Sequence, residues 1–460
     1  MDYLACLDVL ESLGHEIRGV KFDLETTERL LAVLGNPHLK YPAVIVAGTN
    51  GKGSTSAMIA AALEHAGFSA GLYTSPHLVR VNERIRSNER EISDEDFAAA
   101  FTAVHKAAGE LARGGELARA PSYFEYLTAV AFSHFASAAT QFAVLEVGMG
   151  GRLDATNVVD PLVSIVTNVT LDHEPFLGPT VEAIASEKAG VIKPGRPAVS
   201  GCEHEGARAV IRRRCEEAGS ELVDLAREAC VSNVTDCQGR FSFDFALGGD
   251  RLRNLAPSLA GRFQVRNAAA AAAAALLLRK QGVEIPDDAI RAGLADVRWP
   301  GRIETIRECP LVLLDGAHNP AAARALAVYL REELAGRRIR LVYASMRDKA
   351  IEEISAVLFP LACEVYLTAL PMARAASPRE ILDRSRIDAQ RAIIQPEPLR
   401  AAGEACGASR AEDAVVIAGS LFLVGAIERA RREGTLILDP RPPCVSDVRP
   451  MEHGGPSLRG

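Results

Sequence analysis

Short apolar runs, each closed by glycine or a polar turn and followed by a longer alanine-rich or amphipathic stretch, set the rhythm of this chain. YPAVIVA (41–47) offers almost no position to solvent and reads as a buried strand, and the residues from Ser54 to His65 read as the helix it feeds. FSAGLYT (68–74), QFAVLEV (141–147), LVSIVTNV (162–169) and PAVSG (197–201) predict further strands, with helical stretches near 93–112, 122–138 and 180–189 between them. Strand followed by helix followed by strand is the pattern of a parallel sheet covered by helices.

The pattern changes over 219–262, where ELVDLA, CVSNVTD and RFSFDFAL alternate as short strands joined by polar turns and predict a small separate antiparallel sheet. FQVRNAAAAAAAALLLRKQG (263–282) then predicts a helix stopped by glycine, and IPDDAIRAGLAD a second one. VRWPGR (297–302) punctuates the chain as a linker would. Beyond it CPLVLLDG (309–316), RIRLVYAS (338–345), CEVYLTAL (363–370) and AVVIAGS (414–420) start a second alternating unit. The fold class expected is therefore α/β: a larger domain with a parallel central sheet and a small antiparallel subsheet over 1–296, and a smaller α/β domain with a mostly parallel sheet over 297–438. The proline- and glycine-rich end, 439–460, is expected to be mobile.

Composition narrows the function. At 460 residues the chain exceeds what one core usually supports, and a formal charge of -7 argues against broad attraction to nucleic acid or anionic membranes. Nine cysteines without a CxxC pair form an odd set that suits a reducing compartment. The N-terminal MDYLACLDVLESLG is acidic where a secretory signal is basic, and the longest apolar run, 268–278, is too short for a bilayer. A cytoplasmic protein with no membrane or nucleic-acid partner is expected.

The candidate chemistry gathers at predicted strand ends. GTNGKGST (48–55) lies between a strand and a helix but departs from the usual nucleotide loop: Val46 stands where that pattern has a small residue, and Gly53 separates Lys52 from Ser54. Gly48, Gly51 and Gly53 permit a close approach of backbone to polyphosphate, Lys52 supplies charge, and Ser54 or Thr55 supplies a hydroxyl for Mg²⁺. Glu146 at the end of QFAVLEV and Asp172-His173 after LVSIVTNV reach the same edge, where a carboxylate suits Mg²⁺ better than an imidazole does. Lys188 beside Glu187 reads either as an exposed ion pair or as a cation facing phosphate. LLDGAHNP (313–320) forms a second polar strand end with Asp315 and His318, and Arg84 and Arg302 are either surface arginines or partners for anionic substrates.

Taken in order, GVKFDLETTERLLAVLGNP (19–37), AGTNGKGST, YTSPHLVRVNERI (73–85), EVGMGGRLDATNVV (146–159), LDHEPFLG (171–178), SEKAG, GRFQVRNAAAA (261–271), WPGRIE (299–304), LDGAHNP and AGSLFLVG (418–425) resemble the folylpolyglutamate synthase and dihydrofolate synthase family, within the Mur-type ATP-dependent amide ligases. The resemblance implies a P-loop ATPase-like domain over 1–296 and a Rossmann-like domain over 297–438, with ATP contacts along Gly48, Thr49, Asn50, Gly51, Lys52, Gly53, Ser54 and Thr55 and with Asn267, Arg302 and Asp315 also holding the nucleotide. It implies Mg²⁺ at Ser54, Ser75, Glu146 and His173, a carbamate on Lys188, and glutamate near Arg84, His318 and Ser420. Lys52, Lys188 and His318 are the residues it brings to catalysis.

The implied reaction consumes ATP to join L-glutamate to dihydropteroate or a reduced folate, in a bifunctional enzyme expected to be a monomer. A single-activity synthase, a peptidoglycan-precursor ligase and a nucleotide-dependent regulatory protein are the alternatives; TSPHLVR and GGRLDATN favour the folate branch. Ser345 in ASMRDK and Glu174-Pro175 in DHEPFLG depart from common family residues beside matched positions.

Overall fold

A computed structural model describes residues 1–14 and 23–438, which fall into two compact units divided between Arg302 and Ile303. The division comes at the end of the VRWPGR stretch, so Arg302 closes the first unit. The segment 439–460, expected to be mobile, and the first residues of GVKFDLETT lie outside the described residues.

In the first unit the strands are β1 (Ala43–Ala47), β2 (Ala70–Tyr73), β3 (Ile85–Ser87), β4 (Arg90–Glu91), β5 (Phe142–Glu146), β6 (Val163–Val166), β7 (Ala198–Ser200) and β8 (Leu222–Asp224). They form one sheet in the order β4-β3-β2-β5-β1-β6-β7-β8, parallel except at the β3 and β4 edge. Every residue of β1 and β5 is buried, which is why those runs carry no polar alternation. ELVDLA, assigned from its pattern to the small sheet, instead supplies β8, which pairs with β7 in parallel. Isolated short apolar runs do not reveal which sheet they join, because both environments bury the same side chains.

The small sheet is built from β9 (Ala229–Cys237), β10 (Arg240–Leu247) and β11 (Asp250–Leu255), all antiparallel. On β10 the alternation is plain: Phe241, Phe243 and Phe245 are buried in the same core as the alanine-rich helix Phe263–Lys280. Burying each ring contributes about 1.5–3 kcal/mol, and these three carry much of the attachment of this sheet to the unit. The helix presents single methyl groups over most of its length, so it is buried from Ala268 to Leu278 and packs on the helix Lys52–His65 that follows β1.

The second unit holds β12 (Glu304–Glu308), β13 (Leu311–Leu314), β14 (Ile339–Tyr343), β15 (Glu364–Leu367), β16 (Ala392–Ile394) and β17 (Ala414–Ala418), in the order β12-β13-β17-β14-β15-β16. All neighbours run parallel except β12 against β13. β12 and β16 were not legible as strands, since both are edge strands, β12 with mostly polar residues and β16 with an apolar run of only three. A parallel sheet whose strand order departs from chain order gathers ligands at the carboxyl ends of its strands. Both units therefore bring their strand-end motifs to an edge suited to binding.

Candidate functional site

The order β2-β5-β1-β6 places four carboxyl ends side by side in the first unit, and each carries a candidate segment: Thr74-Ser75, Glu146, the glycine loop and Thr167–His173. The helix Lys52–His65 starts at Gly51, whose φ of 80° is left-handed, and no side chain caps it. Its first N–H groups therefore remain available to an anion. Lys52 sits at that start, with Nζ donating to the Thr49 carbonyl at 3.3 Å.

The loop is shaped by residues remote in sequence. Thr49 N donates to the Asn168 carbonyl at 2.9 Å, Asn50 N to Asn168 Oδ1 at 2.9 Å, and Asn168 Nδ2 returns to the Asn50 carbonyl at 2.8 Å. Thr167 Oγ1 donates to the same Asn50 carbonyl at 2.7 Å and fills the space a side chain on Gly48 would need. The Asn267 amide lies against Gly51 and is itself oriented by donating to Gln264 Oε1 at 2.8 Å. Thr167, Asn168 and Gln264 were not singled out from the sequence; polar residues at the end of an apolar strand were the only signal for the first two.

Glu146 and Ser75 are brought together, the Ser75 N–H donating to Glu146 Oε2 at 3.1 Å. Glu146 is 5% exposed, and burial pushes its carboxyl above the usual range, while Lys52, Arg302 and Arg84 act in the opposite sense. A buried carboxylate whose desolvation outweighs these charges fits a hard divalent cation. Among the described residues no cluster of three or more His, Cys, Asp or Glu side chains forms a metal site. Of the set Ser54, Ser75, Glu146 and His173, only Glu146 and His173 are of those types, and Ser54 and Ser75 carry hydroxyls. The buried hydroxyls of Thr55 and Ser56 have no hydrogen-bond partner among the described residues, which leaves donors beside the loop. His173 adopts a left-handed φ of 54° and ends the segment whose Thr167–Thr170 portion binds the loop; its ring is partly exposed and lies 4.0 Å from Asp172.

Lys188 is not an exposed partner of Glu187. Glu187 pairs instead with Arg152, at 2.9 Å, and Arg152 N donates to the Glu187 carbonyl at 2.8 Å, so the GMGGRLDAT loop fixes the end of the helix Val181–Ala189. Asp154 closes that loop by accepting from Thr156 N at 3.0 Å and Met149 N at 3.0 Å. Lys188 is consequently buried, with Nζ donating to the Gly48 carbonyl at 2.9 Å. Burial and the nearby Lys52 push its amine down to about 7.

Arg84 is buried as well: Nε donates to His77 Nδ1 at 2.9 Å, and the guanidinium lies 5.5 Å from the centre of the Tyr123 ring. Arg302 is half-buried and donates to the Gly301 carbonyl at 3.1 Å. In the second unit Asp315 is buried, accepting from Ile303 N at 3.0 Å and Ala317 N at 2.8 Å. Its N–H donates to the Ile417 carbonyl at 3.0 Å, which ties the end of β13 to the end of β17, where Ser420 caps the helix Leu421–Arg432. His318 Nδ1 is 2.8 Å from the Gly316 carbonyl. A carbonyl only accepts, so Nδ1 carries the hydrogen.

The sequence matches the Mur ligase middle domain over residues 46–275 and the Mur ligase glutamate ligase domain over 301–421. It is 35% identical over 415 residues to the dihydrofolate synthase/folylpolyglutamate synthase of Bacillus subtilis, covering 89% of this chain and 95% of that protein. The Escherichia coli dihydrofolate synthase/folylpolyglutamate synthase is 35% identical over 392 residues, covering 85% and 87%. Among solved structures, Escherichia coli FolC in complex with DHPP and ADP superposes with a TM-score of 0.84 at 33% identity, over 94% of this chain and 98% of that one. Mycobacterium tuberculosis folylpolyglutamate synthase complexed with ADP and AMPPCP gives 0.86 at 31% identity, over 93% and 98%. No helix among the described residues is long and apolar enough to cross a membrane. With family domains, curated relatives and solved structures in agreement, the chain belongs to the folylpolyglutamate synthase and dihydrofolate synthase family of the Mur ligases, the ATP-dependent amide-forming enzymes.

Proposed function

We propose that this chain performs both glutamate additions of its family, to dihydropteroate and to a reduced folate that already carries glutamate. ATP is the cosubstrate. Its γ-phosphoryl group passes to the acceptor carboxylate, giving an acyl phosphate and ADP. The amine of L-glutamate then attacks the acyl carbon, the bond to phosphate oxygen breaks, and an amide and inorganic phosphate result. The observation that carries this reading is the uncapped helix start at Gly51-Lys52, set beside a buried carboxylate at Glu146 and a buried amine at Lys188.

In this reading Gly48, Thr49, Asn50, Gly51, Lys52, Gly53, Ser54 and Thr55 surround the phosphates, which accept from the N–H groups at the helix start and from the Lys52 ammonium, with Asn267, Arg302 and Asp315 holding the rest of the nucleotide. Ser54, Ser75, Glu146 and His173 would hold Mg²⁺, which when bound neutralises charge on the phosphate oxygens. Lys188, with its amine near 7, has a large neutral fraction at physiological pH, the form that adds carbon dioxide to give a carbamate. Arg84 and Ser420 bind glutamate; His318 first orients its amine and then accepts a proton from the ammonium. The buried thiols of Cys6, Cys202 and Cys215 suit a reducing cytoplasm, and a monomer is the proposed state.

Purified protein supplied with Mg²⁺ and ATP is expected to release ADP and phosphate only when acceptor and glutamate are both present. Mass spectrometry is expected to find the conjugates of dihydropteroate and of tetrahydrofolate in separate reactions. One conjugate alone would reduce the enzyme to a single activity, and neither would overturn the reading. The dual designation of the Bacillus subtilis and Escherichia coli relatives supports two activities.

A further inference from the structure

The glycine between Lys52 and Ser54, foreign to the usual nucleotide loop, has a physical cause in the structure. A side chain at Gly53 would place its Cβ 2.8 Å from Cζ2 and 2.9 Å from Nε1 of Trp299. Those separations are shorter than carbon contacts allow, so the indole already occupies the space a side chain at position 53 would fill. Trp299 is the single tryptophan of the chain. It is partly buried at the margin of the core that includes the phosphate-loop helix.

The indole is also engaged by a cation. The Arg86 guanidinium lies 5.4 Å from the centre of the Trp299 ring, within the range of a cation–π attraction. Arg86 is fixed on β3, opposite Leu72 of β2, and its Nε donates to the Glu83 carbonyl at 3.3 Å. Trp299 is followed by Pro300 and by Gly301 at a φ of 72°, and then by Arg302, whose charge bears on Glu146. One ring therefore touches the first turn after Lys52, a guanidinium of the β3 edge and the segment that carries Arg302.

We propose that Trp299, tethered by Arg86, is a positioning residue for the nucleoside triphosphate: it sets the first helical turn beyond Lys52 and the approach of Arg302. It touches no reacting atom. This rests on the ATP-binding reading of the loop. The same placement makes the indole a reporter, because phosphate at the helix start alters the field and the packing around the ring.

The test uses the full chain and its native fluorescence. Titration with ADP and with a non-hydrolysable ATP analogue is expected to change the Trp299 emission and to saturate at the concentrations at which equilibrium dialysis shows the nucleotide bound. Arg86→Gln is expected to raise the KM for ATP about three- to tenfold, the range of one partly desolvated cation–π contact, with kcat within about twofold and the KM for glutamate unmoved. Arg86→Lys, which keeps a cation on the ring, is expected to recover most of that loss. Nucleotide bound by dialysis with no change in emission would overturn the proposal. So would an Arg86→Gln variant whose thermal midpoint and kcat fall together while the KM for ATP stays put. If dialysis found no nucleotide bound at all, the ATP reading of the loop would fail first, and this proposal with it.

Discussion

The glycine loop of the first unit and the DGAHNP turn of the second are both strand-to-helix connections, yet they are held in opposite ways. In the turn, although the Asp315 N–H reaches the Ile417 carbonyl and its carboxylate accepts from Ile303 N, several closing contacts lie close along the chain: Asp315 accepts from Ala317, His318 meets the Gly316 carbonyl, and Asn319 caps the helix Pro320–Glu333 by accepting from Ala322 N at 2.9 Å. In the loop, Thr167, Asn168, Asn267 and Trp299 arrive from more than a hundred residues away to set the path of Gly48 to Gly53. A turn closed by its own side chains can be specified locally. A loop that must leave the N–H groups of its helix start to a ligand cannot use them for its own closure, so its shape is imposed from outside.

The strongest way to break that contrast is Gly51→Ala. The left-handed φ of 80° and the Asn267 amide against this position both oppose a Cβ, so the variant is expected to displace the helix start. A displacement near 1 Å typically costs on the order of 100-fold in turnover, and kcat/KM for ATP is expected to fall by about that factor with little change in the thermal midpoint. Full retention of activity would mean that the loop geometry is not imposed by its neighbours.

A smaller effect tests the turn. Asn319→Ala removes a cap made within its own helix start and is expected to cost about 1 kcal/mol, read as a lower urea midpoint for the second unit, with Asn319→Asp restoring it. An unchanged midpoint would show that the turn, too, is held from elsewhere.

The smallest effect lies at the far end of the phosphate-loop helix, where Glu64 accepts from the Glu89 N–H at 3.1 Å. Burial raises its carboxyl from the ordinary 4.5 to about 7. The folded state thus holds the proton more tightly than the unfolded chain, and its stabilisation is complete below the unfolded value and lost as pH rises through about 7. Glu64→Gln is expected to flatten the dependence of the thermal midpoint on pH between about 5 and 8 and to raise that midpoint slightly at the alkaline end. An identical slope in both proteins would assign the dependence to other groups.

Particular residues show how far the chain could be read before it was folded. YPAVIVA, AVVIAGS and the alanine-rich helix were legible because buried strands and helices are written in unbroken apolar runs and their stop signals. Lys52, Glu146 and Asp315 were legible because strand ends in parallel sheets collect chemistry. The residues left Lys188 open between a surface pair with Glu187 and a cation facing phosphate, and it is the turn of Arg152 onto Glu187 that sends the lysine inward. Trp299 read as linker punctuation, since nothing along the chain relates it to Gly53 or Arg86.

The amino-acid order by itself determined the alternation of elements, the two-part division and the kinds of groups delivered to each strand end, because periodicity and glycine placement act over a few residues. Which groups meet was decided only in three dimensions. The order β2-β5-β1-β6 makes neighbours of segments distant in sequence, and the burial that follows moves the Glu146 carboxyl up and the Lys188 amine down. Desolvation belongs to a place in the folded molecule, and no residue carries it along the chain.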